Sequence, residues 1–510
     1  MKSIGIVKVW LVLLIASGIA ACTVNPVTGN REISIISPSQ AIAMGVQQYE
    51  PGQQSQGGVY KVDEDLNDYV ASIGHKLAAV SDVPNLPYDF VVLNNGVPNA
   101  WALPGGKIAI NRGLLTELED EAQLAAVLGH EIVHAAANHG ASQMSRSTLL
   151  NVGLLAGSVA AQDSQYGDLI SMGSQVGAAA WMASYGRDDE LESDEHGIRY
   201  MTAVGYDPQA AVELQETFVR LSEGRSSDFI SGLFASHPPS QQRVDANRQH
   251  AAALPSGGIR NRDAYQRAIA QIVADQPAYD AQEKAVEALN NEDPDLALEY
   301  LDEAVRIQSD EGQFWELRGH AWQMKDDLNN AETAFGTAIS KNPDYYQHWL
   351  ARGLVRKEMG RDRLAQEDLE RAEELLPTSS GAYALGELAE SRGDTASAMS
   401  YFSSAASAGG AIGERASAKM VRYDLPTNPS KYIATGLGTD SAGRILLLVR
   451  NDSGIAVTGV TLRLVLASNG AYQDYNLSGN LAPNQQGSQA TGIVADPSLY
   501  RAMVISARPL

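Results

Sequence analysis

The chain has 510 residues, 61 acidic against 38 Lys and Arg side chains, a formal net charge of −23 and a single cysteine. That length accommodates three or four domains, each with its own core. The charge, with no basic patch to override it, excludes broad binding to nucleic acid or anionic lipid, and one cysteine excludes an internal disulfide.

Lys2 and Lys8 precede an apolar run from Val9 to Ala21, which is short for a membrane span and shaped like a secretory signal. It ends in Ile19-Ala20-Ala21-Cys22, and this ending resembles a bacterial lipoprotein signal. The resemblance implies cleavage before Cys22, diacylglycerol on its sulfur and attachment to the membrane through that lipid. A lone cysteine consumed by lipid also fits an oxidising compartment. Thr23 stands where Asp is the usual sign of inner-membrane retention, so the resemblance implies the outer membrane, facing the periplasm. Thr23 to Gly29 reads as a short extended tether.

Residues 38–80 read as two helices, the second opened by Asp63-Glu64-Asp65-Leu66 and joined to the first by the Gly- and Gln-rich stretch from Pro51 to Gly58. Tyr88 to Asn94 reads as a strand. Asn99 to Ile110 reads as a hairpin turning at Pro104-Gly105-Gly106, with a strand from Lys107 to Asn111. The acidic run from Thr116 to Glu121 then reads as a helical first turn, followed by apolar residues at helical spacing from Leu124 to Leu128.

That helix carries His130-Glu131-Ile132-Val133-His134. Positions i and i+4 share a helix face, so both imidazoles can aim a nitrogen at one metal. Glu131 lies about 100° around the helix, beside the metal, where a general base is needed. Zinc held by three protein ligands and a water lowers the pKa of that water to about 7. Ile132 and Val133 read as wall residues facing the core.

The small-residue runs 149–161 and 169–183 are too short to span a bilayer and read as buried helix packing. In the acidic stretch from Tyr185 to Gly197, Glu190 and Asp194 form another i, i+4 pair. The spacing fits a metal ligand together with a carboxylate that accepts the free ring N–H of a ligating histidine. An acidic run by itself is usually a solvated helix face.

The combination His130-Glu131-x-x-His134 with Glu190-x-Glu192-Ser193-Asp194 resembles the gluzincin metallopeptidases of family M48, which include the periplasmic BepA-type proteins. The resemblance implies Glu190 as third zinc ligand, one zinc ion per chain and Glu131 as catalytic base. Ser193 replaces the common Ala, a small-for-small change. The hairpin resembles the segment that precedes the zinc helix, where substrate adds as a strand to a sheet edge. His237, in Ser236-His237-Pro238-Pro239, matches the family's His-Pro segment; a histidine there donates to the developing oxyanion or closes the site as a fourth ligand. Arg243 reads as a packing or ion-pair residue, and His139 and His196 as structural. Gly205-Tyr206-Asp207-Pro208 reads as a helix stop and restart.

Pro255-Ser256-Gly257-Gly258 reads as a linker, and the sequence beyond it is periodic. Ala304, Ala338, Ala372 and Ala405 recur at intervals of 34, 34 and 33 residues on the pattern of tetratricopeptide repeats. Four helix pairs of this kind stack into a solenoid with a concave surface suited to peptides or proteins. Arg444–Arg450, Val457–Leu466 and Tyr500–Arg508 read as strands of a small sandwich.

The expected architecture is mainly α and multidomain. It comprises a lipoprotein signal at 1–21, an α+β gluzincin metallopeptidase domain at 22–255, a tetratricopeptide-repeat α-solenoid at 260–415 and a C-terminal β-sandwich at 428–510. The resemblance implies a zinc endopeptidase of the periplasm and outer membrane that degrades misfolded or stalled outer-membrane proteins, with the outer-membrane barrel-assembly machinery as partner. The rival is a non-catalytic chaperone or assembly scaffold with a closed zinc site. A peptidoglycan hydrolase would need a wall-binding module, and the sequence offers none.

Overall fold

The computed structural model describes residues 22–148, 185–224 and 236–510; the expected signal at 1–21 and the small-residue runs within 149–184 lie outside the described residues. The chain divides into two compact units, one reaching to His348 and the other running from Trp349 to Leu510.

The first unit opens with an antiparallel ribbon, β1 (Cys22–Val24) against β2 (Arg31–Ile33). The stretch expected as an extended tether is therefore a hairpin. Asn25 makes its turn, its side-chain oxygen accepting from the amides of Val27 and Thr28. A helix follows at Pro38–Ser55, closed at its start by a capping box between Ser37 and Gln40. It runs through Pro51 and Gly52, where a connecting loop was expected. Gly52 packs under Trp101, so closely that a Cβ would lie 3.2 Å from the indole, and this tertiary contact outweighs the weak local propensity. Asp63 caps the helix Glu64–Ala78 as its sequence predicts.

Strands β3 (Asp89–Leu93), β4 (Ala100–Leu103) and β5 (Lys107–Asn111) form a sheet of order β3-β5-β4, with β5 parallel to β3 and antiparallel to β4. The expected hairpin is present and β4 is an edge strand. Its turn places Gly105 and Gly106 at φ +82° and +84°, a conformation glycine adopts without a Cβ penalty.

The helix Glu121–Ala136 begins later than the acidic run suggests, with Asp120 as its N-cap accepting from the Gln123 amide at 3.0 Å. Glu117 and Glu119 stay in the loop before it. Glu121 is buried, its carboxylate accepting from the hydroxyls of Tyr69 and Tyr206 and from the Asn261 amide. These donors come from distant segments and replace water, which no local pattern announces. A second helix, Arg187–Ala203, packs on this one, with Gly129 and Gly197 at the crossing; a Cβ on Gly197 would lie 2.9 Å from the His130 amide nitrogen. The predicted stop and restart follow at Gly205, φ +94°, and the helix Gln209–Gly224.

The expected linker at Pro255–Gly258 is not free. Just beyond it the Ile259 amide donates to the Gly205 carbonyl, and the Ile259 carbonyl accepts from the Asp207 amide. Arg260 then pairs with Asp120 and Glu213. One hydrophobic core consequently runs from the β3-β5-β4 sheet into the first repeat helices. Those helices pair as Ala270–Asn290 with Pro294–Ile307 and Gly312–Met324 with Leu328–Lys341. The predicted marks Ala304 and Ala338 are buried, as are Ala297, Leu301, Ala331 and Phe335 on the same helices.

In the second unit the repeats continue through Asp362–Leu375, Ser379–Ser391 and Thr395–Ser407, and a further helix, Gly410–Asp424, follows. Two three-stranded antiparallel sheets close the chain. One has order β10-β7-β6, from Gln486–Val494, Arg444–Asn451 and Ile433–Thr439; the other has order β11-β8-β9, from Tyr500–Pro509, Val457–Leu466 and Tyr472–Asn476. Ile445, Leu447 and Val449 share one core with Val460, Leu462 and Leu464, which is the expected sandwich. The three unforeseen strands are rich in Gly, Gln, Thr and Tyr and mostly exposed, so they carry little apolar alternation.

Candidate metal centre

The helix Glu121–Ala136 presents His130 and His134 one turn apart, their Nε2 atoms 3.0 Å from each other. From Arg187–Ala203, Glu190 brings Oε1 to 3.3 Å from His134 Nε2 and Oε2 to 3.5 Å from His130 Nε2. His237 adds its Nδ1, 3.3 Å from His130 Nε2 and 2.9 Å from Glu190 Oε1. Ligand atoms of these four buried residues all lie within 4.8 Å of one another. The expected trio converges, and His237 joins it.

The donors suit a cation. His130 Nδ1 lies 2.9 Å from Asp194 Oδ1, an acceptor, so Nδ1 carries the proton and Nε2 turns a lone pair to the cluster. Zinc at its usual bond lengths of about 2.0–2.1 Å puts tetrahedral donors roughly 3.4 Å apart, close to the separations found here. Electrostatics agree. Burial alone would lower the His130 imidazole, but Glu190 and Asp194 outweigh it and push it up to about 10, so the cluster favours positive charge. Burial would raise Glu190, yet His237, Arg243 and His130 hold that carboxyl well below the usual range. His134, by contrast, is lowered by burial and stays neutral.

Glu131 sits beside the cluster, its Oε1 3.5 Å from His237 Nε2. Burial pushes its carboxyl up, against the opposing pull of His237 and His130, and its Oε2 has no hydrogen-bond partner. A buried carboxyl with a free oxygen and a raised pKa is equipped to accept a proton. An apolar recess adjoins it, lined by Leu114, Val127, Ile198, Leu214 and Phe218.

Arg243 is the expected ion-pair residue, and its partners belong to the centre itself. Its Nε and Nη2 each donate to Asp194 at 2.7 Å, and Nη1 lies 2.7 Å from Glu190 Oε2. Tyr185 escaped sequence reasoning; its ring stacks on His134 at 3.8 Å and its hydroxyl donates to the Ala102 carbonyl on β4. Its place just before the acidic helix was the only available signal. His139 reads as structural in the sequence, one helical turn and more past His134, but the helix ends at Ala136 and Asn138 turns at φ +56°, which brings His139 Nδ1 to 2.9 Å from His134 Nδ1. Helical spacing no longer applies beyond that turn. His196 lies away from the cluster beside Asp82, as expected.

Residues 64–251 match the family model described as Peptidase family M48. The chain is 30% identical over 216 residues to the beta-barrel assembly-enhancing protease of Escherichia coli (strain K12), covering 39% of this chain and 44% of that one. It is 32% identical over 179 residues to the mitochondrial metalloendopeptidase OMA1 of Schizosaccharomyces pombe (strain 972), covering 34% and 50%. The chain thus spans about half the length of these curated relatives. Among solved structures, a crystal structure of MamA is similar at 25% identity and TM-score 0.25, covering 28% of this chain and 85% of that one.

Proposed function

Starting from a peptidase family M48 domain at residues 64–251, we propose that this chain is a zinc-dependent endopeptidase. His130, His134 and Glu190 hold the metal and Asp194 orients His130. When bound, zinc supplies Lewis acidity toward a water and a scissile carbonyl. Glu131 takes the proton of the attacking water and delivers it to the leaving amine. Its buried, unpartnered carboxylate oxygen beside the four-donor cluster is the observation that carries this reading.

His237 has two stations. With Nδ1 on the cluster it fills a fourth position and keeps the site shut; swung away, it donates to the oxyanion. Substrate adds as a strand to β4 and seats an apolar side chain in the recess beside Glu131.

The substrates are unfolded or stalled outer-membrane proteins, and the barrel-assembly machinery is the partner. The name of the Escherichia coli relative, which concerns β-barrel assembly, and the concave surface expected of the helical repeats support this. The protein is held at the periplasmic face of the outer membrane by lipid on Cys22. No described helix is long and apolar enough to cross a membrane.

The fourth donor favours one rival, a scaffold whose site stays closed. Glu131→Gln decides between them. Zinc stoichiometry is expected to persist while degradation of an unfolded barrel protein falls about 10²–10⁴-fold. Unchanged degradation overturns the peptidase reading.

A further inference from the structure

We propose that His139 is a positioning residue for His134, held by a line of side chains that begins on the N-terminal ribbon at Asn25. The inference rests on the reading of the four-donor cluster as a zinc site. A ligating imidazole needs its second ring nitrogen fixed by a partner, which sets the tautomer and the ring's aim. For His130 that partner is Asp194; for His134 it is the Nδ1 of His139, at 2.9 Å.

An imidazole can accept from another only if its own proton sits on the far nitrogen. Glu192 provides for that, with Oε1 3.4 Å from His139 Nε2. His134 Nδ1–H then donates to His139 Nδ1, and the proton of His139 lies on Nε2, within ion-pair distance of Glu192 but not hydrogen-bonded to it. The same Glu192 oxygen accepts from the Asn25 side-chain amide at 2.7 Å, and that amide also donates to Glu32 Oε1 at 2.8 Å. The other oxygen of Glu32 accepts from Ser142 at 2.8 Å, in the segment that His139 opens. His139, Asn25 and Ser142 are 1%, 2% and 3% exposed and the two glutamates are partly buried, so losing a bond leaves the Asn25 amide or the Ser142 hydroxyl unsatisfied.

One helix thereby serves both histidines. Glu190 faces the cluster, Asp194 is hydrogen-bonded to His130, and Glu192 is the carboxylate beside His139 Nε2, whose other nitrogen meets His134. The ribbon that starts at Cys22 becomes part of the metal centre, because Asn25 joins Glu192 across 167 positions of sequence.

The experiment is the zinc dissociation constant of the full chain, measured by competition with a chromophoric chelator, beside thermal melts of the chelator-treated proteins. His139→Leu and Glu192→Gln are expected to weaken zinc about 10–100-fold while melting near the parent, and Asn25→Leu to weaken it less. His139→Asn, which places an acceptor oxygen near the Nδ1 position, is expected to recover most of the affinity. Parental affinity in His139→Leu, or no recovery in His139→Asn, overturns the inference. If His139→Leu does not fold, the isosteric Glu192→Gln decides it. A parent chain that binds zinc independently of His130 and His134 sinks the zinc-site reading itself, whereas zinc held equally by parent and variants sinks only the role of His139.

Discussion

His130 and Asp194 meet Nδ1 to Oδ1 at 2.9 Å across 64 positions of sequence, and the same carboxylate receives two bonds from Arg243. Asp194 is therefore an acceptor only, and a neutral His130 ring keeps its one proton on Nδ1. Asp194→Asn can turn an N–H toward that nitrogen and oppose this tautomer. Its zinc affinity is expected to fall about 10–100-fold, read by chelator competition. An unchanged affinity would mean that the carboxylate does not set the histidine's aim.

Arg243 is buried between Asp194 and Glu190, and its guanidinium is their shared counter-charge. Arg243→Met removes the counter-charge that two buried carboxylates share, leaving them only the histidines, a loss of about 3–5 kcal/mol in the metal-free protein. Zinc brings positive charge to Glu190, so the deficit in melting temperature is expected to shrink when zinc is saturating. Equal deficits with zinc and with chelator would show that the arginine and the metal do not share these carboxylates.

The crossing at Gly129 and Gly197 leaves no room for a methyl group. Gly197→Ala is expected to cost about 1–3 kcal/mol by overpacking. It should also weaken zinc binding, because the displaced helix carries Glu190 away from both histidines. Calorimetric zinc titration of the folded variant tests this, and full zinc affinity would show that the crossing distance does not govern the site.

Glu316 is buried in the repeats with its Oε2 2.6 Å from His348 Nδ1. Burial raises its carboxyl, but His320 and His348 outweigh this and hold it at about 2. A folded pKa below the unfolded one gives stability that is fully present above about 4.5 and is lost as pH falls toward 2, here on the order of 3 kcal/mol. Melts of the full chain between pH 5 and 2.5 should show a slope that Glu316→Gln flattens. Parallel slopes in parent and variant would remove Glu316 as the cause.

What the sequence determined by itself was local or periodic. The i, i+4 spacing of His130 and His134, and again of Glu190 and Asp194, fixes a shared helix face before any tertiary contact exists. The 34-residue recurrence of Ala304, Ala338 and Ala372 encodes helix pairs that bury small residues against their neighbours, and each of these alanines is buried. The tertiary structure decided everything that depends on convergence between distant segments. Pro51 lies within a helix because Gly52 packs under Trp101, and Glu121 is buried because Tyr69, Tyr206 and Asn261 replace its water. His139 reaches His134 because the chain turns at Asn138, and Asn25 reaches Glu192 because the ribbon docks on the second ligand helix. Local spacing constrains the direction of a side chain only while one helix continues; beyond its end, partners are chosen by packing and by the cost of leaving a buried polar group unpaired.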